Sequence, residues 1–124
     1  MSHVKSLHHV SVLVADTARS LAFYCNVLGL ERDPARPDLG YPGAWLKVGA
    51  AQIHLLELPN PDPVTGRPAH GGRDRHVALT VVSVDDLRYA LKAAGVAYTL
   101  SRSGRKALFC RDPDGNALEF VEVR

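Results

Sequence analysis

Four side chains with the chemistry of metal ligands, His9, His54, His76 and Glu119, stand at matched places in an internal repeat. HVSVLV starting at His9 returns as HVALTV starting at His76, and QIHLLE starting at Gln52 matches ALEFVE around Glu119. Both matches are offset by about 65 to 67 residues. Three imidazoles and one carboxylate suit a borderline divalent ion: zinc, nickel, cobalt, iron or manganese. Four protein ligands leave one or two positions of a five- or six-coordinate ion open to a substrate.

Strands must carry these residues, because the flanking residues alternate. Successive strand side chains point to opposite faces. His9 therefore shares a face with Ser11 and Leu13, while Val10, Val12 and Val14 take the other. His76 goes with Ala78 and Thr80, His54 with Gln52 and Leu56, and Glu119 with Ala117 and Val121. Parity selects His9 over His8, which sides with Val10 and Val12. His3 and His70 fall in segments expected to be flexible and have no repeat partner.

Each half of the chain reads as a strand, a helix and three strands. In the first, a strand over 7–15 precedes a helix capped by Asp16, with Ala18, Leu21, Cys25 and Leu28 as its apolar face and Gly29 past its end. Strands over 30–32, 44–48 and 51–58 follow. In the second, a strand over 76–81 precedes a helix entered at Ser83, with Leu87, Leu91 and Ala94 buried and Gly95 at its end. Strands over 97–100, 106–110 and 117–122 complete it, and Asp112-Pro113-Asp114-Gly115 is a strong turn signal. The segment 59–75, rich in Pro, Gly and Arg, reads as a linker or an active-site loop. The expected fold is α+β, a single domain over 1–124 with modules at about 7–58 and 76–124. A curled mixed sheet with helices outside would gather the four ligands in one central cup.

The bulk properties narrow the function. The 124 residues fit one compact domain, and 46% hydrophobic with 23% charged residues argues against disorder. A net charge of +2 without a long Lys/Arg block gives no case for nucleic acid or an anionic membrane. Two cysteines, Cys25 and Cys110, form no CxxC pair and read as buried thiols. No apolar stretch near the N-terminus is long enough to span a bilayer, so a cytoplasmic protein is expected.

LHHVSVLVAD, the FY of LAFYCNVLGL, HVALTV and DPDGNALEF together resemble the vicinal-oxygen-chelate superfamily. That group takes in glyoxalase I, fosfomycin-resistance proteins, methylmalonyl-CoA epimerase, extradiol dioxygenases and bleomycin-resistance proteins. The resemblance implies paired βαβββ modules around a divalent metal, with His9, His54, His76 and Glu119 at the four ligand positions. GAWL…QIHLLE is similar to the glyoxalase-I-like subgroup, although His54 replaces the glutamate common in glyoxalase I. The implied activity is a lyase or isomerase that stabilises an oxyanion or enolate of a small oxygenated substrate. Glu119 would serve as a permanent ligand or as a base that leaves the metal.

A fosfomycin-type thiol transferase, with a thiol cosubstrate, is the alternative enzyme. SRSGRKALFCRDPDG resembles the cationic loop of those proteins, and Arg102 and Arg105 there could hold a phosphonate or carboxylate. Arg67, Arg73 and Arg75 are weaker candidates for the same task. An extradiol dioxygenase is disfavoured, because Phe109 stands where a tyrosine is usual. A non-catalytic drug-binding protein, as in bleomycin resistance, is the reading outside catalysis. Trp45 and Tyr41 could line the pocket, and Tyr24 is expected in the core. Family members often form homodimers, so each cup could be built within one chain or across two.

Overall fold

The computed structural model describes residues 1–123; residue 124, the last of the expected second module, lies outside the described residues. The first module runs β1 (His9–Leu13), α1 (Thr17–Leu21), β2 (Glu31–Asp33), β3 (Gly43–Val48) and β4 (Ala51–Leu56). The second runs β5 (His76–Val81), α2 (Val84–Ala93), β6 (Tyr98–Leu100), β7 (Ala107–Arg111) and β8 (Ala117–Glu122). Two four-stranded mixed sheets result, in the orders β1-β4-β3-β2 and β5-β8-β7-β6. β1 and β5 pair in parallel with β4 and β8, and the remaining neighbours are antiparallel. The sheets do not close on one another, and a cleft of about 360 Å³ separates β1 from β5.

One face of each sheet is apolar and packs under its own helix. Leu46, Ile53 and Leu55 from the first sheet share a core with Leu108, Leu118 and Phe120 from the second. Burying each such side chain contributes roughly 1.5–3 kcal/mol. Asp16 caps α1 as expected, accepting from the backbone of Arg19, and Ser83 caps α2 through Asp86.

The buried face of the first helix departs from the expected one. Ser20, Phe23 and Tyr24 are buried and Ala18 is exposed. After Leu21 the helix continues as a π-helical segment over Ala22–Val27. Each extra residue per turn rotates the inward face away from the 3.6-residue stripe. In α2, Val84 and Leu91 are buried, whereas Ala94 sits exposed at the C-cap.

Asp112 and Asp114 of the predicted turn are buried and join the modules. Tyr24 Oη donates to Asp112 Oδ2 at 2.8 Å, and Asn116 Nδ2 donates to the Leu13 carbonyl at 3.1 Å. Asp114 Oδ1 accepts from Ala15 N at 3.0 Å and from Arg19 Nη2 at 2.9 Å. The turn that looked like punctuation therefore carries the polar clasp between the halves.

Candidate metal centre

Strand register places the candidate ligands on one face of each sheet. Ser11, His54, Trp45 and Asp33 form a cross-strand row in the first. Ala78, Glu119, Phe109 and Thr99 form the corresponding row in the second. His54 and Glu119 thus occupy equivalent positions, as do His9 and His76 beside them.

His54 is sandwiched between rings. Its centroid lies 3.9 Å from that of His9 and 4.6 Å from that of Trp45, with interplanar angles of 12° and 10°. Gln52 sets its tautomer. Gln52 Nε2 donates to Asp33 Oδ2 at 2.8 Å, so Gln52 Oε1 must accept from His54 Nε2–H, also at 2.8 Å. The lone pair of His54 is then at Nδ1. Burial, followed by the nearby charges of His9, His8 and Arg36, holds the His54 imidazole below its ordinary pKa. A neutral imidazole is the form that ligates a metal.

In the second sheet, His76 Nε2 lies 3.2 Å from Glu119 Oε1, and Arg105 Nη2 lies 3.3 Å from Glu119 Oε2. Glu119 is buried, at 3% exposure, so both partners matter to its charge. His76 Nδ1 points at the Asp74 backbone carbonyl, 2.8 Å away. A carbonyl only accepts, so Nδ1 carries the proton and neutral His76 presents a lone pair at Nε2. That lone pair faces a carboxylate oxygen. The contact needs a cation between or upon them, either a proton or a metal ion.

The loop before β5 secures this arrangement. Asp74 accepts from Arg67 Nη1 at 3.0 Å and from Arg111 Nη1 at 2.8 Å. The hydrogen bond from Arg111 is the main reason its carboxyl is held below the usual range. Arg111 also binds the carbonyls of Gly115 and Pro68. Arg75 pairs with Asp62, while Arg73 and Arg102 are exposed. Three of the five candidate anion-binding arginines, Arg67, Arg75 and Arg105, are thus paired with carboxylates.

The four ligand positions do not converge within one chain. His9 stacks on His54 and His76 meets Glu119, but among the described residues no group of three or more His, Cys, Asp or Glu side chains could hold a metal ion. The curled cup expected from the sequence is thus two half-cups. His70, expected in a flexible segment, is instead half-buried on the second half-cup: Nδ1 bonds Thr99 Oγ1 at 2.7 Å and the ring packs edge-on against Phe109. Its loop composition hid it, and without a repeat counterpart no pattern could find it.

A paired-module fold with ligand-type side chains on equivalent strands defines a class, and the comparisons agree with it. Residues 6–120 match the family model described as Glyoxalase/Bleomycin resistance protein/Dioxygenase superfamily. The chain belongs to this superfamily. It is 33% identical over 123 residues to the Arabidopsis thaliana protein named Glyoxylase I 4, covering 95% of this chain and 71% of that one. It is 30% identical over 125 residues to the lactoylglutathione lyase of Haemophilus influenzae, covering 92% and 90%. A glyoxalase family protein from Bacillus anthracis superposes with a TM-score of 0.83 at 25% identity, covering 100% of this chain and 99% of that chain. The fosfomycin resistance protein FosX from Listeria monocytogenes shares the fold, with a TM-score of 0.78 at 19% identity over 98% and 93% of the two chains.

Proposed function

We propose that this protein is a glyoxalase-I-like, metal-dependent lyase or isomerase acting on a small oxygenated substrate, working as a cytoplasmic homodimer. The carrying observation is the His76–Glu119 contact at 3.2 Å, where an imidazole nitrogen meets an oxygen of a buried carboxylate. A divalent ion satisfies both, and the neutral His54 supplies a compatible donor. Each chain offers the donors two by two, so the full set needs the first module of one chain and the second module of another. The two cysteines are free, Cys110 buried and Cys25 half-buried, which suits a reducing compartment.

His9, His54, His76 and Glu119 would hold the ion, which when bound supplies Lewis acidity toward neighbouring substrate oxygens. The protein's own groups do the rest. Trp45 gives the first half-cup an apolar wall over His54. Arg105 reaches Glu119 from a surface loop, with Arg102 on the same loop, and both suit a carboxylate or phosphonate on the substrate. Held by Arg105 and His76, Glu119 suits a fixed ligand better than a mobile base. The lyase named among the relatives favours the hemithioacetal of methylglyoxal and glutathione as first substrate to try. Loss of fosfomycin with a thiol, in place of lyase activity, would favour the transferase instead.

Subunit complementation tests the shared site. A His9→Ala/His54→Ala chain and a His76→Ala/Glu119→Ala chain should each purify without metal. Refolded together at equal amounts, random pairing should restore about a quarter of the parental metal, because half the dimers regain one intact site. Elemental analysis reads the result. No recovery from dimers shown to be mixed would exclude a site built across two chains.

A further inference from the structure

We infer that Arg36 holds a carboxylate of the substrate, an inference that rests on the first half-cup being one wall of the metal and substrate site. The small oxygenated substrate proposed above is then an anion, anchored at a distance from the metal ligands.

The duplication points to this arginine. In both modules the loop between the second and third strands sends an arginine toward the site. From the loop between β6 and β7, Arg105 Nη2 reaches Glu119 Oε2 at 3.3 Å. From the loop between β2 and β3, Arg36 comes close enough to His54, the equivalent of Glu119, for its charge to help keep that imidazole neutral. The second-module arginine meets a carboxylate of its own chain, whereas the first-module arginine meets a neutral ring. The counter-charge missing from the first half-cup is what a substrate can bring.

Arg36 is fixed on the site face. Gly43 pairs with Leu56 and stands two residues before Trp45, which pairs with His54. Alternation puts these four residues on one face. A Cβ on Gly43 would meet the Leu55 carbonyl oxygen and lie 3.0 Å from Arg36 Nη2 and 3.4 Å from Arg36 Cζ. The guanidinium therefore occupies the side-chain slot that Gly43 leaves empty, about 7 Å along the strand from Trp45. Tyr41 keeps it there: Arg36 Nη2 donates to the Tyr41 carbonyl at 2.8 Å, and Arg36 Cζ lies 5.3 Å from the centroid of the Tyr41 ring. A guanidinium held in advance loses little freedom when an anion binds.

Its charge is unclaimed. Arg36 is half-buried, and only one of its five N–H groups has an acceptor among the described residues. The acids of its own loop are used otherwise. Asp33 accepts from Gln52 Nε2 and Ala35 N, and Asp38 accepts from Gly40 N. Among the described residues the other arginines pair with carboxylates or lie exposed. The open donors of the fork match the two oxygens of a carboxylate. Leu56 and Trp45 lie on the face between this fork and His54, so an apolar floor runs under the segment joining the carboxylate to the metal-binding oxygens. Arg36 belongs to the module of His9 and His54, so it serves the same site whichever chain supplies Glu119.

The test uses the zinc-loaded full chain and two probes. Glutaric monohydroxamate carries a zinc-binding hydroxamate and a carboxylate at opposite ends of a short chain, and pentanohydroxamate has a methyl group in place of that carboxylate. Calorimetric titration of the parent should show the carboxylate probe bound about 10-fold more tightly than the neutral one. Arg36→Met should keep its zinc and bind both probes alike. Arg36→Lys, which retains the charge without the fork, should retain part of the preference. In parent protein labelled with ¹⁵N-arginine, the carboxylate probe alone should move the Arg36 Nε–H resonance, assigned with Arg36→Lys. That readout stands even if Arg36→Met does not fold. A preference that survives in Arg36→Met, or that disappears in Arg105→Met instead, would overturn the assignment. Equal binding of the two probes by the parent would overturn it as well, and would leave the metal site standing. Failure of the zinc-loaded parent to bind either hydroxamate would sink the metal cup, and the role of Arg36 with it.

Discussion

The two half-cups share a strand register and differ in what fills it. In the first, His54 lies between the flat faces of His9 and Trp45, and its proton is directed through Gln52 to Asp33. In the second, the equivalent position is Glu119, ringed by His76 and Arg105 and floored by Phe109 in the place of Trp45. Stacked rings around a neutral His54 make one wall, and a buried carboxylate held by His76 and Arg105 makes the other. A duplicated backbone has kept the sites of attachment and divided the chemistry between its copies. The neutral wall can supply donors without charge, so the balance of a divalent ion falls on Glu119 and the substrate.

Removing the carboxylate should therefore do the most damage. Glu119→Ala takes away the one anionic member of the proposed ligand set and leaves Arg105 and His76 facing each other. Metal affinity should fall by well over about 100-fold, more than an outer-shell change costs. His9→Ala, on the neutral wall, should also release metal but retain more of it than Glu119→Ala. Equal retention of metal by both variants and the parent, measured by elemental analysis, would end the ligand assignment.

The positioning groups should rank in the same way. Arg111→Ala removes one of the two arginines that hold the Asp74 carboxylate, two residues before His76, and loosens the carbonyl that fixes the His76 tautomer. Metal affinity should drop by roughly 10–100-fold. Gln52→Ala removes the corresponding support of His54, but the Trp45 and His9 rings still hold that imidazole. Its loss should stay near the lower end, about 10-fold. A larger effect from Gln52→Ala than from Arg111→Ala, in a competitive chelator titration, would reverse the roles given to the two walls. Trp45→Ala should cost less metal than either, because the indole contributes packing and no donor atom.

Alternation carried much of this arrangement in the sequence. HVSVLV and HVALTV announced two equivalent strands, and face parity put His9, His54, His76 and Glu119 on the sides the structure gives them. The buried side of the first helix was hidden, because the π-helical segment over Ala22–Val27 has no signature in an apolar pattern read at 3.6 residues per turn. His70 was hidden for another reason. It is placed by tertiary contacts of a Pro- and Gly-rich loop with Arg111, Thr99 and Phe109, and local composition does not encode contacts of that range. The division of the cup into two half-sites was beyond reach too, since periodicity fixes a face but not the spacing between sheets.

The clasp between the modules gives the smallest effect and a different readout. Cys110 is buried on β7 near Asp112, and burial first, then the Asp112 charge, raises its thiol from 9.0 to about 12. Tyr24 is raised well above 10.0 by the same two causes, burial leading. For both groups the unfolded chain releases its proton at lower pH than the folded chain. Between about pH 9 and 12 the folded state therefore binds more protons, and stability falls as pH rises through that window. Below pH 9 neither group contributes a slope. Cys110→Ala should cost stability at pH 8 through the cavity it leaves. Its deficit against the parent should then shrink toward pH 11, by at most about 1.4 kcal/mol per pH unit. Urea unfolding at pH 8, 9.5 and 11 measures the gap, and a constant difference across the three would show that the thiol titrates alike in the folded and unfolded chain.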